Sequence, residues 1–408
     1  MMKRQAGFTL VELMVTMVIF VLVIAAASQV FSGLLYQYKQ QSKIAETNIE
    51  GVVGLDILRR DIEHAGHGLP WELSGATYLE VDNAMLVPGW TTQNDEHFND
   101  GPPNNPARGT DPGGTANPPG AIRSGDNAGE RGTDVLVIKA VNVSNDAAAY
   151  KWTYVNPGNT VKEWDIVQER MVANDRVIVL TLGGSRSLVW VNPGSGLTFT
   201  TRFRADTTPD SLQDADFAPA DDTITRIVYG VADPHSSAVS TPLRMPFNRA
   251  DYYVRTPGTL PTRCAIGTGI LYKAVLNHEN GNLVESPILD CVADMQVVYR
   301  LDTDNDGVID NDSDDLSNPI TGVELTAQDI RNQLKEVRVF VLAHEGQRDP
   351  QFIFTNFTPG ACATCIRVGE SAAQGRDFDL SDSVIGITDF LNYRWKVYRV
   401  VVQPINLR

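Results

Sequence analysis

The hydrophobic pattern of the first seventy residues predicts one long helix. A basic leader with Lys3 and Arg4 (residues 1–7) precedes an apolar run over residues 8–27. About 20 apolar residues are enough to cross a bilayer as a helix. Apolar side chains then recur at helical spacing, at Val30, Phe31, Leu34, Leu35 and Tyr38 and again at Leu55, Leu58, Ile62 and Ala65. Gly66, Gly68 and Pro70 form a stop signal, so we expect a helix over residues 8–65.

Three glycines lie inside this predicted helix: Gly33, Gly51 and Gly54. Each costs up to about 1 kcal/mol relative to alanine, so we expect a bend or local melting there. The alternative is a membrane anchor followed by a separate linker helix. We expect the second half to pack its apolar stripe on the rest of the protein, which leaves the first half free for lipid or other subunits.

Glu12 is out of place in the apolar run. A charge near the bilayer centre costs roughly 2.5–3.5 kcal/mol on insertion scales. A secretory signal with cleavage after Ala27 is one interpretation of the segment, although Glu12 interrupts its apolar middle and the helical pattern continues beyond it.

A more specific interpretation comes from resemblance. The segment Gly7-Phe8-Thr9-Leu10-Val11-Glu12-Leu13 resembles the class III signal of type IV prepilins. The resemblance implies cleavage between Gly7 and Phe8 by a prepilin peptidase and N-methylation of the new N-terminal Phe8. It also implies an assembly role for Glu12, whose carboxylate would pair with the N-terminal ammonium of a neighbouring subunit in a site without water.

After Pro70 the pattern favours β-strands. Short runs rich in Val, Ile and aromatic residues predict strands over 134–143, 176–182, 188–191, 224–231, 270–276, 295–301, 336–343 and 395–403. Thr326 and Asp329 form a capping signal for a short helix. The fold class is therefore α+β, with a pilin-like long N-terminal helix packed on a mainly antiparallel sheet.

The composition suggests two further features of residues 66–408. Residues 91–132 are crowded with Gly, Pro, Asn and Asp, so we expect an exposed loop there. Residues 145–223 hold extra strands and are a candidate second lobe.

Four later segments resemble the PilW-type minor pilins. They are Arg59-Arg60-Asp61-Ile62, Gly132-Thr133-Asp134-Val135, Val337-Arg338-Val339 and Tyr393-Arg394-Trp395. The resemblance implies a subunit that helps initiate a type IV pilus near its tip. Its implied partners are other minor and major pilins, the inner-membrane assembly platform and a large tip adhesin.

The distribution of charge bears on the binding partners and on the orientation in the membrane. The formal net charge is -16, and no basic cluster is longer than Arg59-Arg60, which disfavours nucleic acid bound through phosphates. Because Lys3 and Arg4 precede the apolar run, the positive-inside rule predicts a cytoplasmic N-terminus. We therefore expect a single-pass membrane protein whose later residues lie outside the cytoplasm. The resemblance implies that the membrane is the inner membrane, that the domain is periplasmic and that the protein later reaches the pilus.

The cysteines favour disulfides. The chain has four of them, and an even number in an oxidising compartment is typical of disulfides. Three pairings are possible; we favour Cys264 with Cys291 and Cys362 with Cys365. A zinc site would need a second paired spacing, and a thioredoxin-like motif would need a helix after the CxxC.

An acidic loop over residues 302–315 is the strongest candidate site. Its carboxylates follow the spacing of a calcium loop. The predicted ligands are Asp302, Asp304, Asp306, the Val308 carbonyl, Asp310 and Asp312. The usual final Glu is absent, since Ser313 occupies its place, so Asp312, Asp314 or Asp315 would have to substitute. The alternative is an acidic hairpin without metal.

Catalytic motifs are missing. The sequence contains no G-x-S-x-G, H-E-x-x-H or G-x-x-x-x-G-K-[ST]. We therefore do not expect an enzyme. The resemblance implies a minor pilin, with two alternatives: a type II secretion pseudopilin, or a membrane-anchored calcium-dependent adhesin.

Overall fold

The computed structural model describes residues 9–81, 98–100, 118–191, 198–205, 209–221, 223–232, 243–317 and 323–407. Its helices and strands are α1 (Leu10–Glu63), β1 (Ile122–Gly125), β2 (Val135–Ala140), β3 (Trp152–Asn156), β4 (Thr160–Val161), β5 (Arg176–Thr181), β6 (Thr200–Arg204), β7 (Ser211–Leu212), β8 (Arg226–Gly230), β9 (Asn248–Arg255), β10 (Gly269–Leu276), β11 (Leu283–Leu301), β12 (Asn311–Ser313), α2 (Ala327–Gln333), β13 (Leu334–Glu345), β14 (Cys365–Gly369), β15 (Gly375–Asp379) and β16 (Arg394–Val402). Short 3₁₀ turns lie at Glu130–Gly132, Ala147–Tyr150, Val167–Glu169, Ala215–Phe217 and Phe390–Asn392.

The N-terminal helix is continuous. Helix α1 runs for 54 residues, or about 80 Å at 1.5 Å per residue. It passes through Gly33, Gly51 and Gly54 without a break, so the expected local melting at these glycines does not occur. At Gly54 the reason is packing: a Cβ atom there would lie 1.9 Å from the Ile288 carbonyl oxygen. Glycine lets the helix backbone approach strand β11 closely.

The main sheet carries the core. Among the described residues its order is β1-β2-β9-β10-β11-β13-β16, with β12 added to β11, and the pairs are antiparallel. The second half of α1 lies on this sheet and buries Leu55, Leu58 and Ile62. The expected α+β arrangement of a long helix on an antiparallel sheet is confirmed.

A second sheet follows the order β4-β3-β8-β5-β6-β7. It spans residues 152–230, and so covers most of the segment predicted as an extra lobe. Val155, Val177 and Val228 lie in a small core of its own. Ile178 and Leu180 point the other way into the core of the main sheet. One face of the second sheet therefore belongs to the core of the main sheet, and the other face covers a separate small core.

Two expectations differ from the structure. Much of the segment 91–132 lies outside the described residues, but its last part is not an exposed loop: Ile122–Gly125 is a buried strand of the main sheet. The segment 188–191 forms single bridges, Leu180 to Leu188 and Val191 to Thr198, rather than a strand. The strand at Ile122–Gly125 was missed because the segment around it is rich in glycine. The segment 188–191 was predicted as a strand although it is short, and it forms only single bridges.

Candidate functional site

The first candidate site is the start of α1. Gly7 and Phe8, the predicted processing residues, lie outside the described residues. Thr9 and Glu12 form a capping box. The Thr9 backbone N–H and hydroxyl each donate to Glu12 Oε2 at 2.9 Å, and the Thr9 hydroxyl accepts from the Glu12 N–H. The Glu12 carboxylate thus accepts hydrogen bonds from Thr9 at the start of the helix while the Glu12 side chain remains exposed.

The first half of α1 has no packing partner within the described part of the chain. Every large apolar side chain from Leu10 to Leu35 is exposed. By length and composition, α1 is the one described helix that could cross a membrane. A continuous apolar surface of this size marks a lipid or protein contact.

The second half of α1 is fixed to the sheet by polar contacts as well as by its apolar stripe. The Tyr36 hydroxyl donates to Asp349 Oδ1 at 2.9 Å, where the helix first meets the domain. Near its end, Asp61 accepts from the Tyr252 hydroxyl at 2.6 Å and lies 2.6 Å from Lys273 Nζ. Burial raises the pKa of Asp61, and the Lys273 ammonium opposes that rise.

Arg263 joins the middle of α1 to the sheet. Its guanidinium pairs with Glu50 of the helix and lies 2.7 Å from Asp290 Oδ2 of β11. The next residue, Cys264, is bonded to Cys291 of the same strand. The disulfide therefore holds the arginine in place beside the helix.

The second disulfide joins Cys362 and Cys365. Both pairings are the ones that the sequence analysis favours. Cys365 opens strand β14, so a strand rather than a helix follows the CxxC. Because both sulfurs are oxidised, they are not thiolate ligands for zinc.

The acidic loop connects β11 to β12. Asp302, Asp304 and Asp306 each bring an oxygen within 4.8 Å of the others. Asp302 is buried, and its carboxylate accepts the Asp306 N–H at 3.0 Å and the Gly307 N–H at 2.9 Å. Gly307 has a φ of 92°, which permits this tight turn. Two oxygens bound to one Ca²⁺ at 2.3–2.6 Å can be at most about 5 Å apart, so the separation of these three carboxylates is compatible with a calcium ion.

The other predicted ligands of the acidic loop are engaged elsewhere. Asp310 accepts the Thr303 N–H at 3.0 Å and its hydroxyl at 2.7 Å. Asp312 lies 2.8 Å from Arg300 Nε on the adjacent strand. The structure therefore brings three of the five predicted carboxylates together and leaves two apart.

The sequence analysis missed a buried ionic network. Its members are three cations and three carboxylates with almost no solvent exposure: Lys139, Arg249, Arg123, Glu80, Asp100 and Asp251. Lys139 Nζ lies 2.8 Å from Glu80 Oε2 and 2.5 Å from Asp100 Oδ2. Burial alone would raise the pKa of Asp100, but the Lys139 and Arg123 cations outweigh burial and lower it.

This network holds Glu80 and Asp100 against strands β2 and β9. These two residues belong to the segments that precede and follow residues 82–97. The Asn99 side chain pairs with the Val81 backbone, at 3.2 Å to its N–H and 3.0 Å to its carbonyl. A lone lysine inside the apolar run Val135–Ala140 was the available sequence signal.

Comparisons with known proteins bear on the N-terminal segment. Residues 2–28 match the family model of the prokaryotic N-terminal methylation motif. No curated protein matches the chain. Among solved structures, a type IV-like pilin from Thermus thermophilus matches over 58% of this chain and 87% of that chain, at 10% identity and a TM-score of 0.18, which does not establish a shared fold. The chain therefore carries a class III prepilin signal, the N-terminal methylation motif, at the start of a long helix whose first half is exposed and apolar.

Proposed function

We propose that this chain is a minor pilin that helps to initiate a type IV pilus and lies near its tip. The observation that carries the proposal is the N-terminal methylation motif over residues 2–28, placed on a helix that is exposed from Leu10 to Leu35 and packed on a sheet thereafter. An apolar helix surface of this length suits a membrane before assembly and the core of a filament afterwards.

The N-terminal residues would act in sequence. Prepilin peptidase cuts after Gly7, and Phe8 becomes the methylated N-terminus. The Glu12 carboxylate then exchanges its contact with Thr9 for the ammonium of a neighbouring subunit. A charge-assisted pair of this kind is strongest where water is excluded, and it would fix the axial position of each subunit.

The same proposal names the location and partners. The chain would be anchored in the inner membrane by residues 8–27, with its sheet domain in the periplasm, and would then pass into the pilus. Its partners would be the major and other minor pilins, prepilin peptidase, the assembly platform and a large tip adhesin. The role is structural, so we expect neither catalysis nor nucleic-acid binding.

Mass spectrometry of sheared surface filaments and of membranes from the same cells tests this function. We expect a chain that begins with methylated Phe8 in the filaments, at a level far below the main subunit. The same processed chain confined to membranes would instead indicate a pseudopilin of a type II secretion system. An uncut leader, or cleavage after Ala27, would contradict both and favour a membrane-anchored adhesin.

Calcium binding by the acidic loop is a second, separate proposal. The supporting observation is the convergence of Asp302, Asp304 and Asp306 within 4.8 Å. Three carboxylates and the Val308 carbonyl would hold a hard cation that prefers six to eight oxygens. Asp310 and Asp312 would need to leave Thr303 and Arg300 to join them.

Titration calorimetry with Ca²⁺ on the full chain tests the calcium proposal. We expect saturable binding that Asp304→Asn abolishes. Asp382→Asn is the matched control, since Asp382 accepts the Val384 N–H in the same turn contact in which Asp304 accepts the Asp306 N–H. Heat release that is equal for all three proteins would exclude the loop as the binding site.

A further inference from the structure

The second sheet carries a surface pocket with a mainly aromatic wall. The pocket has a volume of about 260 Å³ and is lined by Tyr150, Lys151, Trp152, Trp164 and Glu169. Ligand pockets in proteins usually hold about 300–1,000 Å³. This one therefore suits a single compact ring rather than a large cofactor.

The rings of the pocket are held in place without a ligand. Trp164 Nε1 donates to the Trp152 carbonyl at 2.6 Å, and the two ring centroids lie 4.8 Å apart with planes at 62°. The rings of Tyr154 and Trp152 are packed edge to face, with their centroids 5.3 Å apart. Lys162 Nζ lies 4.5 Å from the Trp164 ring centroid. A wall fixed in this way loses little side-chain entropy when it binds a ligand.

The strand pattern explains why these rings are at the surface. In β3 the side chains alternate, with Thr153 and Val155 buried and Trp152 and Tyr154 only partly buried. Trp152 packs at the margin of the main core, and the Tyr150 side chain is 59% exposed. The pocket thus lies where the two sheets meet, a common position for ligand sites.

Charged groups of both signs flank the rings. Lys151 is a lining residue, and its Nζ lies 3.3 Å from Asp175 Oδ2. Glu169 is exposed at the end of a 3₁₀ turn. The neighbouring Arg170 donates from Nε to the Trp164 carbonyl at 2.6 Å, so the turn that carries Glu169 is tied to the aromatic wall.

We propose that this pocket binds a saccharide. One face of a sugar ring is apolar C–H surface, which packs on the indole and phenol rings by burial of apolar area. Its rim of hydroxyl groups can accept from the Lys151 ammonium and donate to the Glu169 carboxylate. An aromatic cage for a quaternary ammonium ion would not place a lysine in its wall. This inference concerns the second sheet and does not depend on the filament role.

Binding to sugars tests the proposal directly. The full chain is solubilised in a detergent without a sugar head group and applied to immobilised oligosaccharides ending in neutral hexoses or N-acetylhexosamines. Phosphocholine serves as the probe that carries a quaternary ammonium group. Sugars that bind are then titrated in free form by saturation-transfer NMR, which reports the ring protons in contact with the protein.

Two variants at exposed positions locate the site without disturbing the fold. We expect Tyr150→Ala to weaken sugar binding about tenfold, equivalent to about 1.4 kcal/mol, and Glu169→Gln to weaken it severalfold. The matched controls are Tyr38→Ala, at a tyrosine that is 71% exposed on α1, and Glu279→Gln, at an exposed carboxylate outside the pocket. We expect both controls to bind as the natural chain does.

Three results would overturn the proposal. They are failure of every sugar to bind saturably, binding of phosphocholine alone, and sugar binding that Tyr150→Ala and Glu169→Gln both leave unchanged.

Discussion

At the scale of single residues, the most unusual feature is the amount of charge inside the main sheet. Lys139 and Arg249 have no exposed surface, and Glu80 lies between them at 2.8 and 2.9 Å. Such groups are tolerated only when each is paired. Their geometry fixes where residues 80, 99 and 100 join the sheet, which an apolar core of equal volume would specify less well.

Lys139→Met is therefore expected to lower the free energy of unfolding by about 3–5 kcal/mol, because it leaves Glu80 and Asp100 buried beside one cation fewer. Urea unfolding followed by tryptophan fluorescence measures the change. Lys39→Met, at an exposed lysine of α1, is the control and should shift stability by less than about 0.5 kcal/mol. Equal stability of the two variants would mean that the network is not a structural requirement.

A buried histidine makes a second residue-scale prediction, on pH. His344 Nε2 accepts the Ala265 N–H at 2.9 Å, and its ring lies 4.4 Å from that of Tyr393. Burial lowers the pKa of His344 to about 3. In the unfolded chain the pKa is about 6.5, so between these values the unfolded state binds the proton and stability falls as the pH falls.

From pH 7.5 to pH 5 this histidine alone should remove about 2 kcal/mol of stability, at 1.36 kcal/mol per pH unit below 6.5. His344→Gln keeps an acceptor for the Ala265 N–H but has no proton to bind. The measurement is urea unfolding of both proteins at the two pH values. The variant should lose about 2 kcal/mol less than the natural chain; identical losses would contradict the assignment.

At the scale of elements, helix α1 has an exposed first half and a second half that packs on the sheet. The glycines of the two halves show this difference in packing. A Cβ at Gly33 would meet nothing within 4 Å, whereas one at Gly54 would meet the Ile288 carbonyl. The same residue type is thus exposed in the first half and required for close approach in the second.

We expect Gly54→Ala to destabilise the domain by about 1–3 kcal/mol, the usual cost of overpacking, even though alanine is the better helix former by about 1 kcal/mol. Gly33→Ala should leave the melting temperature of the domain unchanged. Thermal unfolding of the two variants provides the comparison. A Gly54→Ala protein as stable as the Gly33→Ala protein would show that the helix can move away from β11 at no cost.

Apolar periodicity was enough to predict α1 and most strands of the main sheet, because those segments bury a regular stripe or run. It failed for β9, whose residues Arg249 and Asp251 are charged and yet buried. Charged side chains indicate exposure unless their partners are known, and these partners are distant in the chain. The carboxylates of the acidic loop could be found by their spacing alone, because they are close to one another in the sequence. That Asp310 turns toward Thr303 could not be read from spacing.

At the scale of the whole molecule, the contacts divide the chain into an exposed rod and a fixed domain. The rod ends where Tyr36 meets Asp349, and from there to Asp61 the helix is held by paired polar groups and apolar packing. The aromatic pocket and the acidic loop both lie on the domain. The proposed assembly and ligand-binding functions should therefore be separable by mutation, since no described contact joins Glu12 to the sheets.

This separation gives the last prediction. Glu12→Ala should leave the melting temperature of the domain and the amount of membrane-bound chain unchanged, because Glu12 is exposed and forms its hydrogen bonds with Thr9. If its carboxylate aligns subunits, the variant should be depleted at least about tenfold from sheared filaments, the effect of losing one pair worth about 1.4 kcal/mol. Asp56→Ala is the control: this helix carboxylate pairs only locally, with Arg60 at 2.9 Å. Quantitative mass spectrometry of filaments and membranes measures both variants, and a Glu12→Ala chain present in filaments at the level of Asp56→Ala would remove Glu12 from the assembly mechanism.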